Sequence, residues 1–305
     1  MNSYSLENST LKCTLDPRGA AVARFIYKPK EIDLVVGLQN NHDRNRSGHY
    51  LGTIVGPVAN RISNGRFTLD DQEYQLDQNE GVHTLHSGHL GLSEVLWQAK
   101  KHSATSISFH YVMPKGSIAF EVRYSLNESA FVMEILATSK NRVAVNIAPH
   151  IYWNLLGSGD ISSHELQIEA SKYLVLDTEN IPTGEIASVA KTPLDFQQKT
   201  LIADRSFDHH LCVDGENVRR MLSLSAPNGI SMEVHSNQLG VQIYDARHFG
   251  DTGLIGLNGK PLCNRGGIAR APQGYPDAPN HNHFPSIFLD PNEAYHHHSE
   301  FHFKS

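Results

Sequence analysis

An all-β fold is predicted by three observations along this 305-residue chain. Apolar residues alternate with polar ones at a period of two, turn-forming residues punctuate the chain at short intervals, and no segment sustains an apolar i, i+3, i+4, i+7 stripe ending in a helix cap. Many short strands with frequent turns pack as a sandwich or a barrel. No internal repeat, linker or low-complexity tract divides the chain, so residues 1–305 are read as one domain; all-β sandwiches commonly exceed 200 residues as a single unit.

The elements follow in order. Phe67 and Leu69, then Tyr74 and Leu76, flank Asp70-Asp71 as a hairpin. Ile107, Phe109 and Tyr111 alternate with polar residues, as do Val122, Tyr124 and Leu126. Leu222 and Leu224 lead into Pro227-Asn228-Gly229, a strong turn signal, and Met232 and Val234 resume the alternation.

Composition excludes several functions. The formal charge is −6, from 26 Lys+Arg against 32 Asp+Glu, which offers no electrostatic case for nucleic acid or an anionic membrane. Cys13, Cys212 and Cys263 are odd in number and scattered, unlike a disulfide framework. A chain this long buries enough surface to need no metal or disulfide staple. The start has no basic segment followed by an apolar one, and no apolar run reaches the roughly 20 residues of a membrane helix; a cytoplasmic protein, monomeric or homodimeric, is expected. GxGxxG, GxxxxGK[ST], GxSxG and CxxC are all absent.

Four segments carry the functional signal: GPVANRISNGRF (56–67), TLHSG (84–88), NIAPHIYWNLLGSGDI (146–161) and GGIARAPQGYPDAPNHNHFP (266–285). In order and spacing they resemble the aldose 1-epimerase (galactose mutarotase) family, from about Gly19 to Phe303. The resemblance implies a large, mostly antiparallel β-sandwich with an open sugar cleft on one face, and a cofactor-free reaction. A base takes the anomeric hydroxyl proton, an acid protonates the ring oxygen, and the opened aldehyde rotates and recloses.

The residues then take implied roles. His150 matches the general acid, inside an apolar strand beside Tyr152 and Trp153, either of which could present a stacking face to a sugar; histidine suits the task because its pKa lies near neutral. His86 matches the histidine near the ring oxygen, with Ser87 where a second glycine is usual. Asn60 and Arg61 match the substrate-binding arginine and its neighbour, with Pro57 where the family has an arginine. Asp208 matches an acceptor for ring hydroxyls, and Gln242 a polar residue lining the site.

The catalytic base of the family is a glutamate two residues before a glutamine. Here the glutamine is Gln273 and the base position is Ala271, which accepts no proton, while Arg270 precedes it where a small apolar residue is usual. Asp277 is the nearest carboxylate in sequence, and the family has an aspartate there beside its intact glutamate. Three readings stay open: a displaced base, a sugar-binding relative without catalysis, or a substitution introduced at a natural glutamate. The expected ligand is a free hexose or related aldose. The alternatives are a catalytically silent carbohydrate binder and a hexose 6-phosphate epimerase using Arg270 with Arg61 or Arg66. No metal is expected: His83, His86 and His89 recur every third residue, but Gly88 and Gly91 oppose a helix there. The run His296-His297-His298, among 19 histidines, reads as a solvated strand edge or a tag-like accident.

Overall fold

The computed structural model describes residues 3–40, 43–44, 48–114 and 117–305. Strands dominate, and the helices described are 3₁₀ turns of three or four residues. Two antiparallel sheets form the body. The larger has nine strands in the spatial order Gln98–Lys101, Ser106–Val112, Ile118–Asn127, Ala130–Ser139, Ala294–Lys304, Ser231–Ser236, Arg219–Ser225, Glu165–Ile168 and Thr200–Leu201. The smaller has six, ordered Tyr152–Trp153, Ile268–Gln273, Gly240–Tyr244, Asp208–Cys212, Lys172–Leu176 and Pro182–Ser188. A four-stranded sheet from the N-terminal Tyr4–Glu7 through Ile32–Asp33 packs against the same core. Among the described residues, no helix is long and apolar enough to cross a membrane.

The predicted hairpin is Arg66–Leu69 paired with Gln72–Gln75. Its two turn residues, Asp70 and Asp71, have φ of 50° and 59°, the left-handed pair a two-residue hairpin loop requires. The alternation sorts side chains as expected. Val122, Tyr124 and Leu126 are buried from one strand, and Met232 and Val234 from another, beyond the Pro227-Asn228-Gly229 turn. Ile107 and Phe109 are buried too, whereas Tyr111 is partly exposed at its strand's outer end. One cluster joins the inner faces of both sheets: Ile135, Val234, Phe301 and Phe303 from the nine-stranded sheet meet Val241, Ile243 and Ile268 from the other.

Two expectations are corrected here. Trp153 is fully buried in that core, its ring 5.5 Å from those of Phe25, Phe301 and Phe303, so it offers no stacking face. The triple-histidine run lies on a central strand, between Ala130–Ser139 and Ser231–Ser236, rather than at an edge. His297 points into the core, where its Nδ1 meets the Ile147 carbonyl at 3.0 Å and its Nε2 the Ser299 hydroxyl at 2.7 Å. The three cysteines are free.

Candidate active site

The site is built on the outward face of the six-stranded sheet. Val241 and Ile243 point into the core, so the pleat sends Gln242 and Tyr244 the other way. Antiparallel register sets Gln242 opposite Ala271 on one side and His210 on the other, and Tyr244 opposite Asp208. The neighbouring strand ends are held close: a Cβ on Gly267 would stand 2.6 Å from Val36 and 3.2 Å from Tyr152, so glycine is required where the chain enters Ile268–Gln273. The loops carrying Tyr50, Asn60–Arg61 and Glu80–His86 close the other side. The result is a cleft of about 410 Å³, within the usual range of small-molecule sites.

Asn60, Arg61, His86, His150, Asp208, Gln242 and Ala271 all line this cleft. His86 and His150 stand edge to face at 5.1 Å, with the Tyr50 ring 4.6 Å from His86 and 5.8 Å from His150. His86 Nδ1 accepts the Asn60 backbone N–H at 3.0 Å, while the His86 N–H donates to the Asn60 carbonyl at 3.0 Å. That reciprocal pair leaves the His86 proton on Nε2. The Asn60 side chain accepts the Arg61 N–H at 2.8 Å, so it shapes the loop. Ser87, in the left-handed conformation at φ 69°, accepts the Val58 N–H at 2.8 Å and donates back to its carbonyl at 3.1 Å. The serine thereby joins the two loops where the family more often has glycine.

Polar groups on the opposite wall are linked. Gln242 Nε2 donates to Asp208 Oδ1 at 2.6 Å. Arg61 is bidentate to Glu80 at 2.6 and 2.9 Å, with Asp208 Oδ2 at 3.7 Å. Burial works against the Arg61 charge, but the Glu80 hydrogen bonds and the Asp208 charge more than offset it and raise its pKa. Both histidines are neutral near pH 7. Burial, then the neighbouring His150 and Arg61, hold His86 well below the ordinary range, and burial pulls His150 down to about 4. His150 Nδ1 is buried without a partner.

At the base position Ala271 packs against Val55, Ala59 and Ala148, only 4% exposed. Among the described residues, the carboxylates lining the cleft are Glu80 and Asp208, both engaged as described. Asp277 is not among the lining residues. It is 2% exposed and accepts the Ser63 N–H at 3.0 Å and the Asn280 amide at 2.7 Å, so it braces two loops and is no displaced base. Arg270 alternates with Ala271 and points inward; it is 1% exposed, and none of its three side-chain nitrogens has a hydrogen-bond partner. Arg66 is exposed beside Glu73. Neither arginine reaches the cleft. His83, His86 and His89 diverge: His83 accepts the Asn64 N–H at 3.1 Å, and His89 Nδ1 lies 2.6 Å from Asp77.

Sequence reasoning missed Glu80, Tyr50, Tyr244 and Arg247, which also line the cleft. Tyr244 was accessible to it, two residues from Gln242 on one strand face. Tyr152 lines the cleft while nearly buried, its ring 5.0 Å from His150 and 4.7 Å from Phe249.

Fold and cleft together define the galactose mutarotase-like class of β-sandwich. The family model for aldose 1-epimerase matches residues 2–302. Galactose mutarotase of Bos taurus is 33% identical over 99% of this chain and 94% of its own length, and aldose 1-epimerase of Escherichia coli (strain K12) is 30% identical over 81% and 78%. A crystal structure of an aldose epimerase homologue from C. elegans superposes with a TM-score of 0.93 at 27% identity, covering 99% of this chain and 98% of that one. The chain belongs to the aldose 1-epimerase family, whose members interconvert sugar anomers.

Proposed function

We propose that this chain binds a free aldose in the cleft and turns it over only slowly, because the ring-opening step has lost its positioned base. Asp208, Gln242 and the Arg61–Glu80 pair supply acceptors and donors for ring hydroxyls, and Tyr50 and Tyr152 supply apolar surface. His150 and His86 occupy the side that delivers a proton to the ring oxygen. The anomeric hydroxyl would face Ala271. One observation carries the reading: Ala271 sits in the cleft floor opposite Gln242, and both cleft carboxylates are committed to Arg61 and Gln242. A positioned base contributes about 10²–10⁴-fold, so turnover falls by that order while binding persists. The hexose 6-phosphate reading loses its support, since Arg270 and Arg66 lie outside the cleft and Arg61 is paired with Glu80.

The test is polarimetry or NMR of fresh α-D-glucose and α-D-galactose, with a sugar titration on the same sample. The expected result is saturable sugar binding, little acceleration over buffer, and a gain of about 10²-fold or more in the Ala271→Glu variant. Brisk turnover by the parent, or no gain from Ala271→Glu in an inactive parent, would overturn it.

A further inference from the structure

The outer face of the nine-stranded sheet carries a second constellation, on the side of the sandwich away from the cleft. In Ala294–Lys304 the inward residues are His297, Ser299, Phe301 and Phe303, so His296, His298, Glu300 and His302 face outward. The adjacent strand sets Glu134 directly opposite His298. Glu134 Oε1 lies 3.9 Å from His296 Nε2 and 3.9 Å from His298 Nδ1, and one ligand atom from each of the three falls within 4.8 Å of the others.

We propose that His296, His298 and Glu134 form a binding site for a first-row divalent cation, zinc above all, with two imidazole ligands and one carboxylate. Two imidazoles spaced i, i+2 share one face of a strand, and the cross-strand position is the nearest from which a carboxylate can join them. Zinc takes nitrogen and oxygen ligands at about 2.0–2.2 Å in a tetrahedron, so its ligand atoms stand about 3.4 Å apart. The present separations close to that with movements of about an ångström or less at the ends of partly exposed side chains. The side-chain exposures are 48% for His296, 35% for Glu134 and 18% for His298.

The surroundings favour this reading over a chance cluster. A metal-binding histidine commonly donates its other ring N–H to a carboxylate, which fixes the tautomer and strengthens the ligand. His298 has that arrangement: Nδ1 faces Glu134, and Nε2 lies 2.9 Å from Glu300 Oε1. Glu300 Oε2 in turn takes His302 Nε2 at 2.7 Å. The second oxygen of Glu134 lies 3.6 Å from Arg123, which leaves Oε1 turned toward the two rings. Three protein ligands leave a fourth position open to solvent.

The experiment is a calorimetric titration of zinc chloride into the full chain, prepared without any added histidine tag. Cobalt(II) absorption on the same protein reports coordination geometry. One equivalent should bind, with a tetrahedral cobalt spectrum. His298→Ala should abolish that equivalent, and Glu300→Gln, which keeps all three ligands, should weaken it by about 10–100-fold. Unchanged circular dichroism in each variant establishes that it has folded. His89→Ala, at an exposed histidine elsewhere, should change nothing. Absence of a stoichiometric site, an octahedral-only cobalt spectrum, or equal zinc binding by the His298→Ala variant would each overturn the proposal.

Discussion

Replacing Arg270 with leucine should stabilise the protein by about 3–5 kcal/mol, a large effect for one substitution. Arg270 lies on the inward face of Ile268–Gln273, opposite Ile243 of the main core. Its guanidinium is 1% exposed, and Nε and both terminal nitrogens lack hydrogen-bond partners. Burial alone pulls its pKa down to about 9 from 12.5. An uncompensated buried charge typically costs about 3–5 kcal/mol, and the depressed pKa has the same sign. The sign follows from linkage. A cation whose folded pKa is depressed destabilises the fold fully at any pH below that pKa, and the cost fades only between about pH 9 and 12.5. The gain at pH 7 is therefore the full one. At about 2.1 cal/mol/K per residue, unfolding this chain has an entropy near 0.6 kcal/mol/K, so Tm should rise by about 5–8 °C. Scanning calorimetry and urea unfolding of Arg270→Leu and Arg270→Lys measure it, the lysine variant keeping the charge and gaining little. An Arg270→Leu protein with unchanged or lower Tm would show that the guanidinium finds water or a partner, and the argument would fail.

Two further outcomes follow from the cleft and from the buried histidines. In an Ala271→Glu background, His150→Asn should remove most of the mutarotation rate while sugar affinity changes little, because ring-oxygen protonation matters in the transition state; equal rates with and without His150 would remove it from the mechanism. The chain should also unfold in mild acid. His164, His210 and His297 are buried, and burial pulls their pKa values down to about 4, 3 and 3. Each stays neutral in the fold while the unfolded chain takes up protons below about pH 6.5, so stability falls as pH drops through that window, by ~4 kcal/mol per unit for the three together. A total of about 10 kcal/mol would be exhausted near pH 4. Tryptophan fluorescence against pH reports it, and a native signal at pH 3 would contradict it.

Much of the fold was legible because its signals are local. The Asp70-Asp71 loop declares itself by turn chemistry, and the Val122, Tyr124, Leu126 alternation by its period. The seven residues of the candidate site were legible through their motifs, and they do meet at one cleft. What stayed hidden depends on long-range pairing. Alternation says that Arg270 and Ala271 face opposite sides, but only the register with Gly240–Tyr244 says which side is the core. Trp153 was misjudged for the same reason. The C-terminal strand looked peripheral because sequence position carries no information on sheet order, yet it runs through the middle of the nine strands. Glu80 was missed because its role depends on Arg61, 19 positions away and joined to it only by the closing of two loops.

Under the proposed function, the alanine at 271 weakens both halves of the proton transfer. An acid is effective when its pKa approaches the working pH, and His150, buried with no carboxylate beside its Nδ1, stands near 4. A carboxylate close to an imidazole stabilises its charged form and raises its pKa. A glutamate at 271 would therefore accept the anomeric proton and also raise the His150 pKa toward the working pH. On the proposed reading, the cleft without it keeps its hydroxyl-binding groups, which need no titration, but lacks the base and holds its acid at a low pKa. The proposed function therefore makes sugar affinity and turnover separable in this chain, at one methyl group in the cleft floor.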